Sequence, residues 1–150
     1  MFQMFSSESS SYKTTTLQLS HAPSRRVRRV WHLQYSGWQD HGCPEDVAEY
    51  LAFCEEMGAL RRHTQAEAAT AGSLNTNTPV LVHCSAGVGR TGVTVLADIL
   101  LYCTDHNIHI DIPKVLSHLR QQRMLMVQTV AQYKFVHTVL IKYLAQSRLI

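Results

Sequence analysis

The chain has 150 residues, a formal net charge of +3, 45% hydrophobic residues and 17% charged residues. These values are typical of one globular domain and exclude a chain too polar to bury a core. The mild positive charge suits an acidic or phosphorylated partner and does not indicate nucleic-acid binding. Because no apolar run is long enough to span a bilayer and the start lacks a signal-peptide pattern, we expect no transmembrane segment and a cytoplasmic protein.

The cysteines show no short paired spacing, which favours reduced thiols over disulfides. They are Cys43, Cys54, Cys84 and Cys103. The spacing of Cys103, His106 and His109 differs from that of a standard zinc unit, and no second ligand pair follows. We therefore predict neither a metal nor another cofactor.

The N-terminal region predicts an antiparallel hairpin. Residues 1–11 are expected to be frayed or a poorly packed edge. Residues 12–20 and 28–35 each alternate between apolar and polar side chains, as strands with one buried face do, and a proline-containing turn at 21–24 separates them.

Four arginines form a basic rim at the turn of this hairpin: Arg25, Arg26, Arg28 and Arg29. Two interpretations remain open. The arginines belong to a solvated turn, or they form a contact surface for an acidic peptide or a lipid.

The segment after the hairpin, residues 36–44, predicts a hinged flap. Trp38 anchors one side, and Gly37 and Gly42 absorb changes in backbone dihedral angles. Asp40 is then placed to act as a general acid that protonates a leaving oxygen. Taken alone, Asp40 would be assigned only to the start of the next helix, but its place between the hairpin and the glycine-rich loop favours the general acid.

An amphipathic helix is predicted from Pro44 to His63, with acidic residues in its first turn and basic residues in its last. Residues 64–78 contain almost no aliphatic side chains and are expected to form a mobile surface loop.

The stretch from Val80 to Gly92 carries the strongest functional pattern. Residues 80–82 are aliphatic and predict a short buried strand, whereas an apolar helical spacing begins after Thr91. The glycine-rich loop between them exposes backbone amides just before a helix N-terminus. Such a loop predicts a phosphate-binding site.

A thiol and a guanidinium bracket this loop. The amides and the helix dipole favour the thiolate of Cys84, which is placed for in-line attack on phosphorus. Arg90 can hold equatorial phosphoryl oxygens with two N–H donors. Thr91 offers a hydroxyl that eases departure of the sulfur, and His83 could fix the loop by hydrogen bonding.

A dinucleotide-binding fingerprint is an alternative. Gly87, Gly89 and Gly92 have its spacing, and Asp111 follows at about the expected distance. The dinucleotide interpretation gives no role to Cys84 or Arg90.

The C-terminal third predicts two further helices. A short helix begins at Pro113, with Arg120 and Arg123 directed outward. A final helix follows the segment that contains Gln128 and Gln132, two glutamines that share one helical face. Glutamines on a helix are usually solvated, and that interpretation remains open.

The run from His83 to Gly92 resembles the signature of the cysteine-dependent protein tyrosine phosphatases, in the form found in the phosphotyrosine-specific, non-receptor branch. The flap resembles the family's Trp-Pro-Asp loop, although Gln39 replaces the proline. This substitution loosens the loop, so we expect slower turnover than in a proline-containing relative. The glutamines match the family's Gln-x-x-x-Gln segment. The resemblance implies that Gln128 orients water and that Gln132 supports it.

Further matches point to the Pez-type, FERM-containing branch. They include His-Leu-Gln-Tyr before the flap and Gln-Tyr-Lys-Phe-Val in the final helix. Residues 12–150 match only about the C-terminal half of such a catalytic domain. Cytoskeletal or junctional partners are implied by this resemblance alone.

We therefore predict an α/β fold in which a mixed central sheet is flanked by helices and the signature loop joins a central strand to a helix. The predicted function is hydrolysis of protein phosphotyrosine through a cysteinyl-phosphate intermediate. The predicted phosphate-binding residues are Ser85, Ala86, Gly87, Val88, Gly89 and Arg90. The rival hypotheses are a catalytically weak phosphotyrosine-binding scaffold, a dual-specificity phosphatase and a dinucleotide enzyme.

Overall fold

The structure is a computed structural model that describes residues 2–38 and 42–147, with side chains from Ser9 onward. The described elements, in chain order, are β1 (Phe2–Glu8), β2 (Tyr12–His21), β3 (Arg26–Tyr35), α1 (Val47–Thr70), α2 (Gly89–Asp105), α3 (Ile112–Gln122) and α4 (Val130–Ser147). No helix within these ranges is both long enough and apolar enough to cross a membrane.

The three strands form one antiparallel sheet in the order β1-β2-β3. The predicted hairpin is confirmed, because β2 and β3 pair in continuous register from Tyr12 opposite Tyr35 to His21 opposite Arg26. The N-terminal segment, expected to be frayed or a poorly packed edge, forms the edge strand β1. Its pairing with β2 contains one irregularity, between Gln3 and Phe5.

The first helix is longer than predicted. The mobile loop expected at 64–78 is wrong over its first half, because α1 continues to Thr70. The extra turns read Gln-Ala-Glu-Ala-Ala, and these residue types have high intrinsic helix propensity even though they provide no apolar stripe. At the other end, the Asp46 side chain caps the helix by accepting hydrogen bonds from the N–H groups of Ala48 and Glu49.

Tyr50 is at the centre of the core and is fully buried. Its ring packs edge-on against those of Tyr35, Trp38 and Phe135, with centroid separations of 5.7, 5.7 and 5.1 Å. These contacts join α1 to the sheet, to the start of the flap and to α4. Aliphatic side chains of α2 and α4 complete the core: Val93, Leu96, Leu100, Val136 and Val139.

The α/β class is confirmed, but the predicted mixed sheet with a central strand at residues 80–82 is not found among the described residues. The described sheet is antiparallel throughout, and residues 80–82 do not pair with it. Val80 is 44% exposed and Leu81 is 89% exposed. Aliphatic composition predicts a strand, but a strand also needs another strand to pair with, and none of the described strands pairs with this segment.

A shared carbonyl joins the start of α2 to the turn before α4. The backbone oxygen of Val88 accepts hydrogen bonds from the N–H groups of Gly92 and Val127, both at 3.0 Å. Gly92 is required at this junction, because a Cβ atom there would lie 2.3 Å from the backbone nitrogen of Val127. The close approach of two backbones therefore positions the glycine-rich loop beside the glutamine segment.

We predict that Gly92→Ala lowers the free energy of unfolding by at least about 2 kcal/mol, because a methyl group overlaps backbone that cannot move aside easily. Gly58→Ala is the matched control. It lies inside α1, and its new Cβ would meet nothing nearer than the flexible end of Arg62 at 3.4 Å.

The control should leave stability unchanged or raise it by about 0.5–1 kcal/mol, since alanine is the better helix former. Urea denaturation followed by circular dichroism measures both variants. Equal stability of the two variants would contradict the close approach at Gly92.

Candidate active site

The sulfur of Cys84 lies within the glycine-rich loop and accepts two hydrogen bonds. The N–H of Gly87 and the hydroxyl of Thr91 each donate to Sγ at 3.2 Å. Gly87 has a φ of +71°, a conformation that glycine adopts at little cost and that turns the loop back over the sulfur. The loop and the first turn of α2 therefore both direct donors at one thiol.

These donors lower the pKa of Cys84. Burial by itself raises the pKa of a thiol, but here it is outweighed by the Thr91 hydroxyl and by the backbone N–H groups of Thr91, Gly87 and Val88. The pKa falls from 9.0 to about 7. Cys54 is the contrast, because burial in the core raises its pKa to about 12. Among the shifted thiols, Cys84 is therefore the one poised to ionise near neutral pH.

Arg123 contacts the outer side of the loop. Its Nε donates to the carbonyl oxygen of Gly87 at 2.8 Å, and its Nη2 donates to that of Ala86 at 3.4 Å. These contacts hold loop carbonyls away from the sulfur. Arg120, one helical turn earlier, donates to the carbonyl oxygens of Met126 and Val127 at 2.9 and 2.8 Å.

Sequence reasoning assigned both arginines only an outward direction and missed these contacts. The available signal was their position, since they lie three residues apart at the end of a short helix and just before the glutamine segment. A guanidinium with several N–H donors can satisfy carbonyl groups that have no partner in a turn.

Arg90 connects the loop to the flap. Its Nη2 donates to Oγ of Ser85 at 3.0 Å, and its Nη1 donates to the carbonyl oxygen of Trp38 at 3.3 Å. The guanidinium is therefore directed along the loop rather than into bulk solvent. Arg90 follows Ser85 by five residues, and its side chain reaches back to that end of the loop, as a phosphoryl clamp requires.

The described side of the flap is anchored as predicted. Trp38 is 7% exposed, and its Nε1 donates to the carbonyl oxygen of Gly42 at 2.7 Å. Its ring packs against Tyr50 and Phe135. Two predicted features, the acid Asp40 and the unusual Gln39, lie outside the described residues.

The two glutamines have different environments. Gln132 is buried, and its Oε1 accepts from the N–H groups of Gln128 and Thr129 at 2.9 and 3.4 Å, while Thr129 Oγ1 accepts from the N–H of Gln132 at 3.1 Å. This reciprocal arrangement is a capping box at the start of α4. Gln132 thus fixes the backbone from which Gln128 projects.

The Gln128 side chain lies against the loop. A Cβ atom on Gly89 would be 2.6 Å from its Oε1, so the amide lies directly over that glycine. The preceding residue, Val127, has a φ of +60°, which is unfavourable for a β-branched side chain. The structure therefore brings Gln128 and the signature loop together by way of a strained turn.

Some predicted features are not brought into this arrangement. His83 is exposed, and its ring has no hydrogen bond to any described residue, so its expected role in fixing the loop is not seen. The dinucleotide alternative needs parallel strands joined by a helix, whereas the described sheet is antiparallel. Within the described ranges, no group of three or more histidine, cysteine or acidic residues could hold a metal ion.

Comparison with known proteins agrees with this geometry. The sequence model of the family described as protein-tyrosine phosphatase matches residues 2–142. Human tyrosine-protein phosphatase non-receptor type 14 is 51% identical over 146 residues, and so is rat non-receptor type 21. The Drosophila melanogaster tyrosine-protein phosphatase Lar is 38% identical over 135 residues.

These alignments include nearly all of this chain but only a small part of each relative. The alignment to the human protein includes 97% of this chain but only 12% of the relative, and for Lar the shares are 90% and 6%. The chain thus spans about an eighth of the length of its non-receptor relatives. The resemblance to non-receptor phosphatases expected from the motifs is confirmed. With its thiol, loop amides and guanidinium gathered at the start of α2, the chain belongs to the protein-tyrosine phosphatase family.

Proposed function

We propose that this chain hydrolyses phosphotyrosine in proteins through a cysteinyl-phosphate intermediate. One observation carries the proposal. The sulfur of Cys84 receives hydrogen bonds from Gly87 N–H and Thr91 Oγ1, and its pKa is lowered to about 7. A thiolate at neutral pH beneath backbone donors is the nucleophile that attack on a phosphate ester requires.

In the first step, the Cys84 thiolate attacks phosphorus as the bond from phosphorus to the tyrosine oxygen breaks. The amides of residues 85–89 and the guanidinium of Arg90 stabilise the equatorial oxygens as negative charge redistributes. Asp40, by resemblance to the family, gives its proton to the departing phenolate. The products of this step are a free tyrosine side chain and a phosphorylated cysteine.

In the second step, a water molecule attacks the phosphocysteine and transfers its proton to the Asp40 carboxylate. Gln128, which lies over Gly89, positions this water. The sulfur–phosphorus bond breaks and the thiolate leaves. Thr91 assists its departure, because its hydroxyl already donates to the sulfur at 3.2 Å. Inorganic phosphate is released, and no metal takes part.

Three further residues support this machinery. Gln132 holds the backbone of Gln128, and Trp38 supplies the carbonyl that Arg90 contacts. We assign His83 a supporting role by resemblance only. We propose residues 12–150 as a partial catalytic domain.

We propose phosphotyrosine-containing proteins as substrates and the cytoplasm as the location, supported by the term "non-receptor" in the names of the relatives. Cytoskeletal or junctional partners and a cytoskeletal association are proposals that rest on family resemblance.

A phosphotyrosine-binding fragment with weak or no turnover is the second candidate. The observation that favours it is the segment at residues 80–82, which precedes Cys84, exposes Val80 and Leu81 and pairs with no described strand. Because no described strand pairs with the segment before Cys84, that segment fixes the position of the sulfur less firmly than a strand within a sheet would. This candidate predicts binding of phosphotyrosine peptides without release of phosphate.

We predict that Cys84→Ser abolishes phosphate release from a phosphotyrosine peptide, because a serine hydroxyl is not ionised near pH 7. Arg90→Lys should lower kcat by about 100-fold or more, since an ammonium cannot replace a two-pronged donor. Cys103→Ser, which removes a partly buried thiol outside the loop, is the control and should retain full activity.

Phosphate release measured on the purified chain distinguishes the candidates. Tight peptide binding with no turnover in the unmodified chain would support the scaffold. Comparable rates on phosphoserine and phosphotyrosine peptides would support a dual-specificity phosphatase.

We predict that alkylation of Cys84 by iodoacetamide rises with pH, is half-maximal near pH 7 and reaches a plateau above about pH 8. The sign follows from the lowered pKa, because the reactive thiolate predominates above that value and is lost as the pH falls below it. Thr91→Val should move the midpoint upward, since it removes the side-chain donor to the sulfur.

Mass spectrometry of the alkylated peptide measures the rate, and the Cys84→Ser variant gives the background. A midpoint above pH 8.5 in the unmodified chain, unaffected by Thr91→Val, would show that the loop does not activate the thiol.

A further inference from the structure

The turn of the β2–β3 hairpin projects from the protein. All residues from His21 to Arg29 are exposed, including Val27, whose exposed fraction is 53%. We call residues 21–28 the basic tip. Nine consecutive exposed residues leave no side of the turn covered by the core.

The charges of the basic tip are not neutralised within the described structure. Arg29, at its base, forms an ion pair with Glu67 of α1 at 2.8 Å. Arg25, Arg26 and Arg28 form no ion pair or side-chain hydrogen bond with any described residue. The tip therefore presents three positive charges that no described side chain neutralises.

The basic tip is distant from the candidate active site. The strand β3 runs from Arg26 at the tip to Tyr35 just before the flap. Nine residue steps at about 3.3 Å each separate the two ends by roughly 30 Å. The arginines are therefore too far from the phosphate-binding loop to contact a phosphate bound there.

The shape of the tip selects among anionic partners. Cavities of about 490 and 280 Å³ lie beside α3 and beside α2, and neither includes a residue of the tip. An acidic peptide usually needs a groove or a strand edge. Among the described strands β3 has an unpaired outer edge, but the side chains of Arg26 and Arg28 are roughly perpendicular to the sheet and do not lie along that edge. Charges on an exposed turn, outside both cavities, suit a flat anionic surface.

We propose that the basic tip is a docking surface for an anionic lipid bilayer. Arg25, Arg26 and Arg28 contact lipid headgroups, with Arg26 and Arg28 on the face of β3 opposite the one on which Arg29 pairs with α1. Arginines close to a negatively charged leaflet are attracted within a Debye length, so three of them bind weakly and reversibly. Docking at this end leaves the flap and loop, roughly 30 Å away, free to act on a protein substrate.

Cosedimentation of the full chain with vesicles tests the proposal. We expect binding to phosphatidylcholine vesicles that contain about one third phosphatidylserine, and little binding to phosphatidylcholine alone. The variant Arg25→Asn, Arg26→Gln, Arg28→Gln should bind about 100-fold more weakly. The control removes three exposed charges elsewhere and should lose less than about threefold. It combines Lys114→Gln, Lys134→Gln and Lys142→Gln.

Equal losses in the two variants would overturn the proposal, as would unchanged binding by the tip variant. Binding to polyglutamate but not to anionic vesicles would overturn it in favour of an acidic protein partner.

A footprint on the unmodified chain does not depend on how the variants fold. Anionic vesicles should protect the three tip arginines from phenylglyoxal and leave the exposed Arg62 reactive. Equal reactivity of Arg62 and the tip in the presence of vesicles would also overturn the proposal.

Discussion

The site depends on the carbonyl oxygen of Val88, which serves two N–H groups at once. By accepting from Gly92 and from Val127, this oxygen joins the first turn of α2 to the turn that carries Gln128. The glycine-rich loop and the glutamine segment come from parts of the chain almost forty residues apart. A direct contact between the two backbones places them side by side, and a Cβ atom at position 92 would obstruct that contact.

Arginine and aromatic side chains around the Val88 contact stabilise the two segments that it joins. Arg123 keeps loop carbonyls turned outward, which leaves the amides free to face the sulfur. Arg120 holds the carbonyls of the adjoining turn. Trp38, packed on Tyr50 and Phe135, brings the start of the flap within reach of Arg90. The aromatic core and the two arginines therefore position the loop and the flap as well as stabilise the fold.

Local chemistry made much of the site predictable from sequence. A thiol, a guanidinium and three glycines before an amphipathic helix already specify an anion-binding loop, and alternation in residues 12–35 specifies the hairpin. The last part of α1, residues 64–70, is not predicted, because these residues have high helix propensity but no apolar stripe that would indicate a helix. Arg120 and Arg123 were missed because their partners are backbone carbonyls, which leave no trace in residue spacing. The strand at residues 80–82 was predicted from composition, but pairing depends on a neighbour that composition cannot reveal.

Val127 has a consequence for the balance between stability and turnover. A β-branched residue at a φ of +60° costs of order 1–3 kcal/mol, and glycine would relieve that cost. Relief would also free the turn that aims Gln128 at the loop. The chain therefore retains a strained, less stable turn that fixes Gln128 against the loop. Selection for thermal stability alone would remove this constraint.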